Sequence, residues 1–306
     1  MDEFLIVLNK NDDTLSIVDP NEKEVVKNIE CGHNPHEIAI TPDGKKSYIT
    51  CSLGNEVNVL DNENFEITKT LEHEYFKFPH GVEVTEDGEE LYLASTYSNK
   101  VFIIDTEEDE IKKYFPTYQE HSHMISFAPD GKKVYVPNIG SDNITVVDTE
   151  KEDIVNHFPV GEGPEGVAVH PDGETLYVAN QEDDTLFVMD TGDYEVLHKR
   201  RLGTTPIRIV FSHDGEYAFI PNRESNDISV IDTSFQLRDR VEPWEVKRIP
   251  VGVWPGGTVF DHDSSRAFVA NNKTNDVSII DLENLEEREE RIKVGVHPDG
   301  IGYLMK

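Results

Sequence analysis

The chain has 306 residues, with 61 Asp and Glu against 28 Lys and Arg, a net charge of −33 spread along its whole length. So acidic a surface repels nucleic acid and anionic lipid, and no stretch of roughly 18 apolar residues or basic-then-apolar leader is present, so neither nucleic acid nor membrane is expected as a partner. Two cysteines, Cys31 and Cys51, are too few for a disulfide framework, which makes a cytoplasmic location the expectation, or an extracellular one if the chain is a processed form.

In chain order, the first predicted element is a strand from Phe4 to Asn9, followed by a second that ends at Asp19. Strands ending in Asp recur at Asp61, Asp105, Asp148, Asp190, Asp232 and Asp281, in steps of 42, 44, 43, 42, 42 and 49 residues. Ten residues before each Asp stands a second column: Asn9, Cys51, Ser95, Asn138, Asn180, Asn222 and Asn271. Acidic turns lie between strands at Asp43-Gly44, Asp87-Gly88, Asp130-Gly131, Asp172-Gly173 and Asp214-Gly215, and become Asp263-Ser264 in the next copy. Gly suits such turns because it takes positive φ without steric cost. Pro35, Pro79, Pro164, Pro206, Pro255 and Pro298 form a further column, with Ser122 in the remaining slot, and fit the first residue of a strand, which need not donate.

A repeat of roughly 40 to 45 residues with several short strands is the signature of a β-propeller blade, a unit that cannot bury its own faces. The expectation is an all-β fold: a seven-bladed propeller of four-stranded antiparallel blades, a single domain over residues 1–306. The N-terminal copy lacks its first strand. Residues 295–304 supply it, since Gly295-Val296-His297-Pro298-Asp299-Gly300 matches Gly161-Glu162-Gly163-Pro164-Glu165-Gly166, so one blade is split between residues 1–30 and 297–306. The single long step is assigned to an extended connection over Ser234–Glu242, inside one blade.

The stretches Tyr135-Val136-Pro137-Asn138 and Leu176-Tyr177-Val178-Ala179-Asn180, each followed ten residues later by an Asp-Thr ending, resemble the YVTN-repeat family of β-propellers, which takes in YncE-like and lactonase-like members. The resemblance covers the whole chain and implies the fold. It implies no one activity, since function lies in sites grafted on folds. Broadly similar seven-bladed lactonases and lyases that use a cation at the channel mouth share only the ring architecture with this sequence.

The Pro column marks entry to the innermost strand, so the residue after it should reach the central channel. Read around the ring, that position holds Asp299, His36, His80, His123, Glu165, Ile207 and Gly256. Three successive imidazoles with a carboxylate suit a divalent or transition metal such as Zn, Cu, Fe or Mn, with His36, His80, His123 and Glu165 as ligands, or Glu165 as general base. Alternatively, these histidines face water and bond to neighbouring groups. The residues before the Pro column, Asn34, Phe78, His121, Thr205, Trp254 and His297, are expected to cap loops or face solvent, with His121 and His297 alternatively joining the metal shell. On the same mouth lie Lys10, Ser52, Tyr97, Arg223 and Asn272. Arg223, with Tyr97 and Trp254, is the candidate for holding a substrate's carboxylate or phosphate, with a surface ion pair to Glu224 or Asp227 as its competing role. Arg208 is expected to turn away from the channel by strand alternation. His170, His213 and His262 belong to the opposite, acidic-turn face, and Cys51 is read as a buried thiol that could also serve a soft metal.

Two functions follow. One is a metal-binding propeller acting as a hydrolase, lyase or oxidoreductase on a small-molecule substrate. The other is a non-catalytic propeller whose rim recognises a protein, peptide or glycan. A monomer is the default for a ring with little free edge.

Overall fold

The middle strands of each copy are apolar on both faces. Leu5 to Leu8 are all fully buried, as are Leu91 to Ala94, whereas a fourth strand such as Glu24–Glu30 is mostly exposed and buries a single residue, Ile29. A sheet with such strands must be covered on both sides, and stacking copies around an axis does this. The computed structural model, which describes residues 2–234 and 244–306, has seven four-stranded antiparallel sheets arranged as a propeller. In the last sheet the outer strand is split into Glu286–Glu287 and Ile292–Lys293. The connection predicted over Ser234–Glu242 lies, apart from Ser234, outside the described residues.

The core lies between blades. Tyr48, Val57 and Val59 of the second blade pack on Leu91, Leu93, Phe102 and Ile104 of the third. At the joint that closes the ring, Leu5, Val7 and Val18 of the first blade meet Phe268, Val277 and Ile279 of the seventh, with Ile301 among them. The C-terminal strand Pro298–Met305 pairs antiparallel with Glu3–Asn9 and forms the innermost strand of the first blade, as the split repeat predicts.

Each conserved-spacing column has a physical job. Asp19, Asp61, Asp105, Asp148, Asp190, Asp232 and Asp281 accept backbone N–H groups two or three residues on, closing the turn into the outer strand. The asparagines cross-link their own hairpin: Asn222 Nδ2 donates to Asp227 Oδ1 at 2.7 Å and to Ser229 Oγ at 2.8 Å. In the acidic turns the glycines take φ of 68° to 79°, and Ser264 keeps the same left-handed geometry at 54°.

A further column sets the approach to the channel. Asp13, Asn55, Asn99, Asp142, Asp184, Asn226 and Asn275 all adopt positive φ in the turn between second and third strands. The side-chain oxygen of each accepts the N–H of the residue that opens the next blade, namely Asn34, Phe78, His121, Gly163, Thr205, Trp254 and His297, at 2.8 to 3.0 Å. Those opening residues are themselves left-handed, at φ of 56° to 63°, so the chain is tipped into each inner strand at one fixed angle. Each blade thereby aims the first residues of its successor.

Candidate functional site

Just after this tipped residue the inner strands are irregular. Their pairing with the second strand shifts register at Pro35/Glu37, Pro79/Val82, Pro164/Gly166 and Pro255/Thr258, and bulges of this kind re-aim side chains. In the fourth and sixth blades the ladder is reduced to isolated bridges at Ser122 and Pro206 before it resumes at Ser126 and Val210. Neighbouring inner strands also come very close: a Cβ on Gly300 would lie 2.3 Å from the carbonyl oxygen of His36. These departures gather side chains from six blades at one end of the channel.

The three imidazoles meet there. The His36 and His80 rings are 4.4 Å apart, and His80 stacks on His123 at 3.7 Å. Phe78 lies parallel to His80 at 5.9 Å and touches Tyr97 at 5.1 Å, extending the aromatic column to the rim. His36 and His80 are almost fully buried and His123 partly so. Thr96 Oγ1, from the loop that also carries Tyr97, lies 3.1 Å from His123 Nδ1, while Tyr97 itself is 63% exposed.

Charged groups surround the rings. Lys10 donates to Asp299 Oδ2 at 2.9 Å and stands 3.2 Å from His36 Nε2. Arg208 hydrogen-bonds Glu37 and pairs with Asp299 Oδ1 at 2.8 Å. Its guanidinium therefore crosses the channel from the sixth blade to the first and second. This corrects the expectation that Arg208 faces away. Its φ of 50° breaks strand alternation, and Glu165 Oε2 fixes the turned backbone by accepting the Arg208 N–H at 2.8 Å. Gly256, the seventh channel position, leaves room for this crossing, since a Cβ there would meet Asp299 Oδ1 at 2.9 Å and Arg208 Nη1 at 3.2 Å.

Glu37 was not singled out by the sequence. It follows the channel position by one residue, and the bulge at Pro35/Glu37 turns it inward beside His36. Its Oε1 lies 3.8 Å from His80 Nε2, and ligand atoms of His36, Glu37 and His80 all fall within 4.8 Å of one another. His123 and Glu165 are outside that set.

Burial governs the protonation of the cluster. It lifts Glu37 to about 7 in spite of the opposing pull of Arg208. It drives His36 and His80 well below the usual imidazole range, helped at His36 by Lys10 and at His80 by His123, and it lowers His123 to about 3, helped by Arg208 and Arg223. Burial alone would raise Asp299, but Lys10 and Arg208 outweigh it and hold the carboxyl well below its ordinary value. The imidazoles are thus neutral at pH 7, while Asp299 is ionised. Several buried atoms lack a partner, namely His36 Nδ1, His80 Nδ1 and Arg208 Nε and Nη1. Buried polar groups are nearly always satisfied, so these four atoms have hydrogen-bonding capacity that the protein itself does not use.

On the rim, Trp254 has Lys273 Nζ 3.3 Å from its ring centroid and the Arg223 guanidinium at 5.7 Å. Arg223 forms no ion pair with Glu224 or Asp227; Asp227 accepts from Asn222 instead. Ser52 and Asn272 donate to the carbonyls of Pro79 and Pro298 and so brace the inner strands. Cys51 is fully buried in the apolar joint between the first two blades. His170 and His213 bond to the carbonyls of Gly215 and Asp261 on the acidic-turn face. Grooves of about 800 and 840 Å³ open between blades on that face, but they are lined by turn residues such as Asp87, Asp130 and Asp172 and contain none of the channel histidines. No helix among the described residues is long and apolar enough to cross a membrane.

Residues 112–296, more than half of the chain, match the family described as lactonase, 7-bladed β-propeller, and residues 2–75 match the YNCE-like β-propeller family. No curated protein matches the sequence significantly. Similar solved structures include Kuenenia stuttgartiensis hydrazine synthase, with 20% identity, a TM-score of 0.80, and coverage of 89% of this chain and 90% of that one. A putative 6-phosphogluconolactonase from Bacteroides fragilis has 17% identity and a TM-score of 0.82, covering 99% and 98% of the two chains. The periplasmic gluconolactonase PpgL of Pseudomonas aeruginosa has 16% identity and a TM-score of 0.78, covering 99% of each. At these identities the structural likeness speaks for the fold, while the sequence match over most of the ring speaks for kinship. The chain belongs to the lactonase family of seven-bladed β-propellers.

Proposed function

We propose that this protein hydrolyses the cyclic ester of a small acid at the channel mouth. The observation that carries the reading is the buried cluster in which Glu37, ionising at about 7, stands beside neutral imidazoles and an arginine with unpaired N–H groups. Family membership supports it, as do the gluconolactonase and 6-phosphogluconolactonase names of similar structures.

A general base works best with a pKa near the operating pH, and Glu37 meets that condition. Ionised Glu37 takes a proton from water as the oxygen attacks the lactone carbonyl carbon. Arg208 Nε and Nη1 receive the negative charge that develops on the carbonyl oxygen. As the adduct collapses, the ring C–O bond breaks and Glu37 passes its proton to the departing ring oxygen, leaving an open hydroxy acid. The base is assigned to Glu37 and not to Glu165 because burial lifts Glu37 to about 7 and Glu37 stands among the imidazoles, with Glu165 outside that set. At the rim, Arg223 takes an anionic substituent of the substrate, with Trp254 and Tyr97 as apolar walls.

The test is a pH-stat assay over a panel of sugar-acid and simple γ- and δ-lactones. Turnover of at least one is expected, with kcat/KM rising with pH through about 7 as Glu37 ionises. Glu37→Gln should lower it by roughly 10² to 10⁴ while the melt persists. Failure to open any lactone would remove the reading.

A second reading has its own observation, the proximity of ligand atoms in His36, Glu37 and His80. Such a set could hold Zn, Cu, Fe or Mn, which would supply a Lewis acid, with His123 and Glu165 around it. Against it, Lys10 stands at His36 Nε2 and Arg208 already holds Glu37, so bound metal must displace both cations from their partners. Elemental analysis of untagged protein distinguishes the two readings: stoichiometric metal, lost in a His36→Ala, His80→Ala, His123→Ala variant, favours the second.

A further inference from the structure

The two cysteines depart from the repeat at one and the same joint. Cys51 holds the column occupied elsewhere by Asn or Ser, and Cys31 holds the position at which the chain leaves the outer strand. The second equivalence is set by a shared hydrogen bond: the N–H of Cys31 donates to the carbonyl of Asp13, as Val160, Leu202, Val251 and Val294 donate to Asp142, Asp184, Asn226 and Asn275. Four other blades thus place an apolar residue where the first has Cys31. The two departures face each other across the boundary of the first and second blades, Sγ to Sγ 3.7 Å, although 20 residues separate them. Cys31 Sγ donates to Asn58 Oδ1 at 3.3 Å, and Cys51 Sγ has, besides its partner, a 3.9 Å contact with the Ile49 carbonyl and the backbone N–H of Gly32.

We propose that Cys31 and Cys51 are a reversible redox pair whose disulfide staples the first blade to the second. Exposure sets the order of events. Cys51 is fully buried and cannot meet an oxidant, whereas Cys31 is partly exposed. A low-molecular-weight disulfide therefore reacts first at Cys31: the Cys31 sulfur bonds to one sulfur of the reagent, the reagent's S–S bond breaks, and one thiol leaves with the Cys31 proton. Cys51 then attacks the Cys31 sulfur, the mixed disulfide breaks, and a second reagent thiol leaves with the Cys51 proton. Two protein thiols are oxidised and one reagent disulfide is reduced. The hydrogen bond to Cys31 and burial both raise the Cys51 thiol, so little thiolate is present and the second exchange is the slow step, driven by the contact already made between the two sulfurs.

The staple bears on the channel site through position. Cys51 is the register partner of Pro35, the next residue is His36, and the loop that the disulfide would close runs from Cys31 through His36 and Glu37 to Cys51. Oxidation ties down both ends of the segment that carries two of the channel side chains. Closing a loop of this size constrains the unfolded chain and raises the melting temperature.

The experiment treats the purified full chain with oxidised glutathione and counts thiols under denaturing conditions. Expected are loss of both thiols, a mass lower by two hydrogen atoms, a cross-linked peptide spanning Cys31 and Cys51, and a higher melting temperature that dithiothreitol reverses. Cys51→Ser, which borrows the residue of the third blade, should stop at a stable glutathione adduct on Cys31. Cys31→Val, which borrows that of the fourth, should leave Cys51 unreacted. Two free thiols after treatment, a persistent adduct on the unsubstituted protein, or oxidised protein that melts no higher than reduced would each overturn the proposal.

Discussion

Arg208 shows how much one backbone dihedral decides. An alternating strand would point its side chain into a blade interface, but at a φ of 50° it reaches across the channel to Glu37 and Asp299. It offsets two buried carboxylates, and removing one partner of a buried ion pair typically costs about 3 to 5 kcal/mol because the remaining charge is left uncompensated. Arg208→Ala should therefore destabilise the fold by that order in urea unfolding. It should also shift the activity profile. Burial raises Glu37 and Arg208 opposes the rise, so without the guanidinium Glu37 ionises at still higher pH and any residual kcat/KM climbs later than in the parent enzyme. A profile that stays in place would separate Arg208 from the ionisation of the base.

At the scale of the strand and turn, the repeat is a set of hydrogen-bonding devices, and two of them use the same short polar side chains differently. The buried asparagines hold a hairpin together from inside, whereas the Asp and Asn residues at positive φ reach forward to the next blade. Asn271 is fully buried, and its Nδ2 donates to Asp276 Oδ1 at 2.9 Å and Ser278 Oγ at 2.8 Å. Asn271→Ala removes two buried hydrogen bonds, although Asp276 Oδ1 keeps that from the Thr274 hydroxyl, and should cost about 1 to 3 kcal/mol, measured as a lower urea midpoint with an unchanged slope. The forward-reaching column was open to inspection in the sequence, since each member lies six residues before a strand-ending Asp. What the spacing could not convey was that each member governs the blade after its own, a relation that exists only once the blades are side by side.

For the whole molecule the decisive joint is between the chain's two ends. The strand Pro298–Met305 completes the first blade, buries Ile301 and Leu304, and brings Asp299 to the channel. Ending the chain after Val294 would expose the edge of Glu3–Asn9 and lose the burial of those two aliphatic side chains, about 3 to 6 kcal/mol. The expected result is a broadened thermal melt with a midpoint lower by roughly 10 °C or more. A sharp, unshifted melt would mean that the ring does not depend on its closing strand.

Seven blades, their order, the split first blade and the ring of post-proline residues were determined by the sequence alone, because each depends on spacing along the chain and the period of a repeat survives in one dimension. The alternation rule that served for the strands failed at Glu37 and Arg208, which lie in a bulge and at a left-handed residue, and beside Tyr97, expected at the rim and exposed there, the neighbour Thr96, not singled out by the sequence, is the residue that meets His123. Which side chains converge was decided by the tertiary structure. Local backbone irregularities aim them, and the groups they meet come from blades far apart in sequence, so the cross-channel pairing of Arg208 with Glu37 and Asp299 has no trace in the spacing of residues along one repeat.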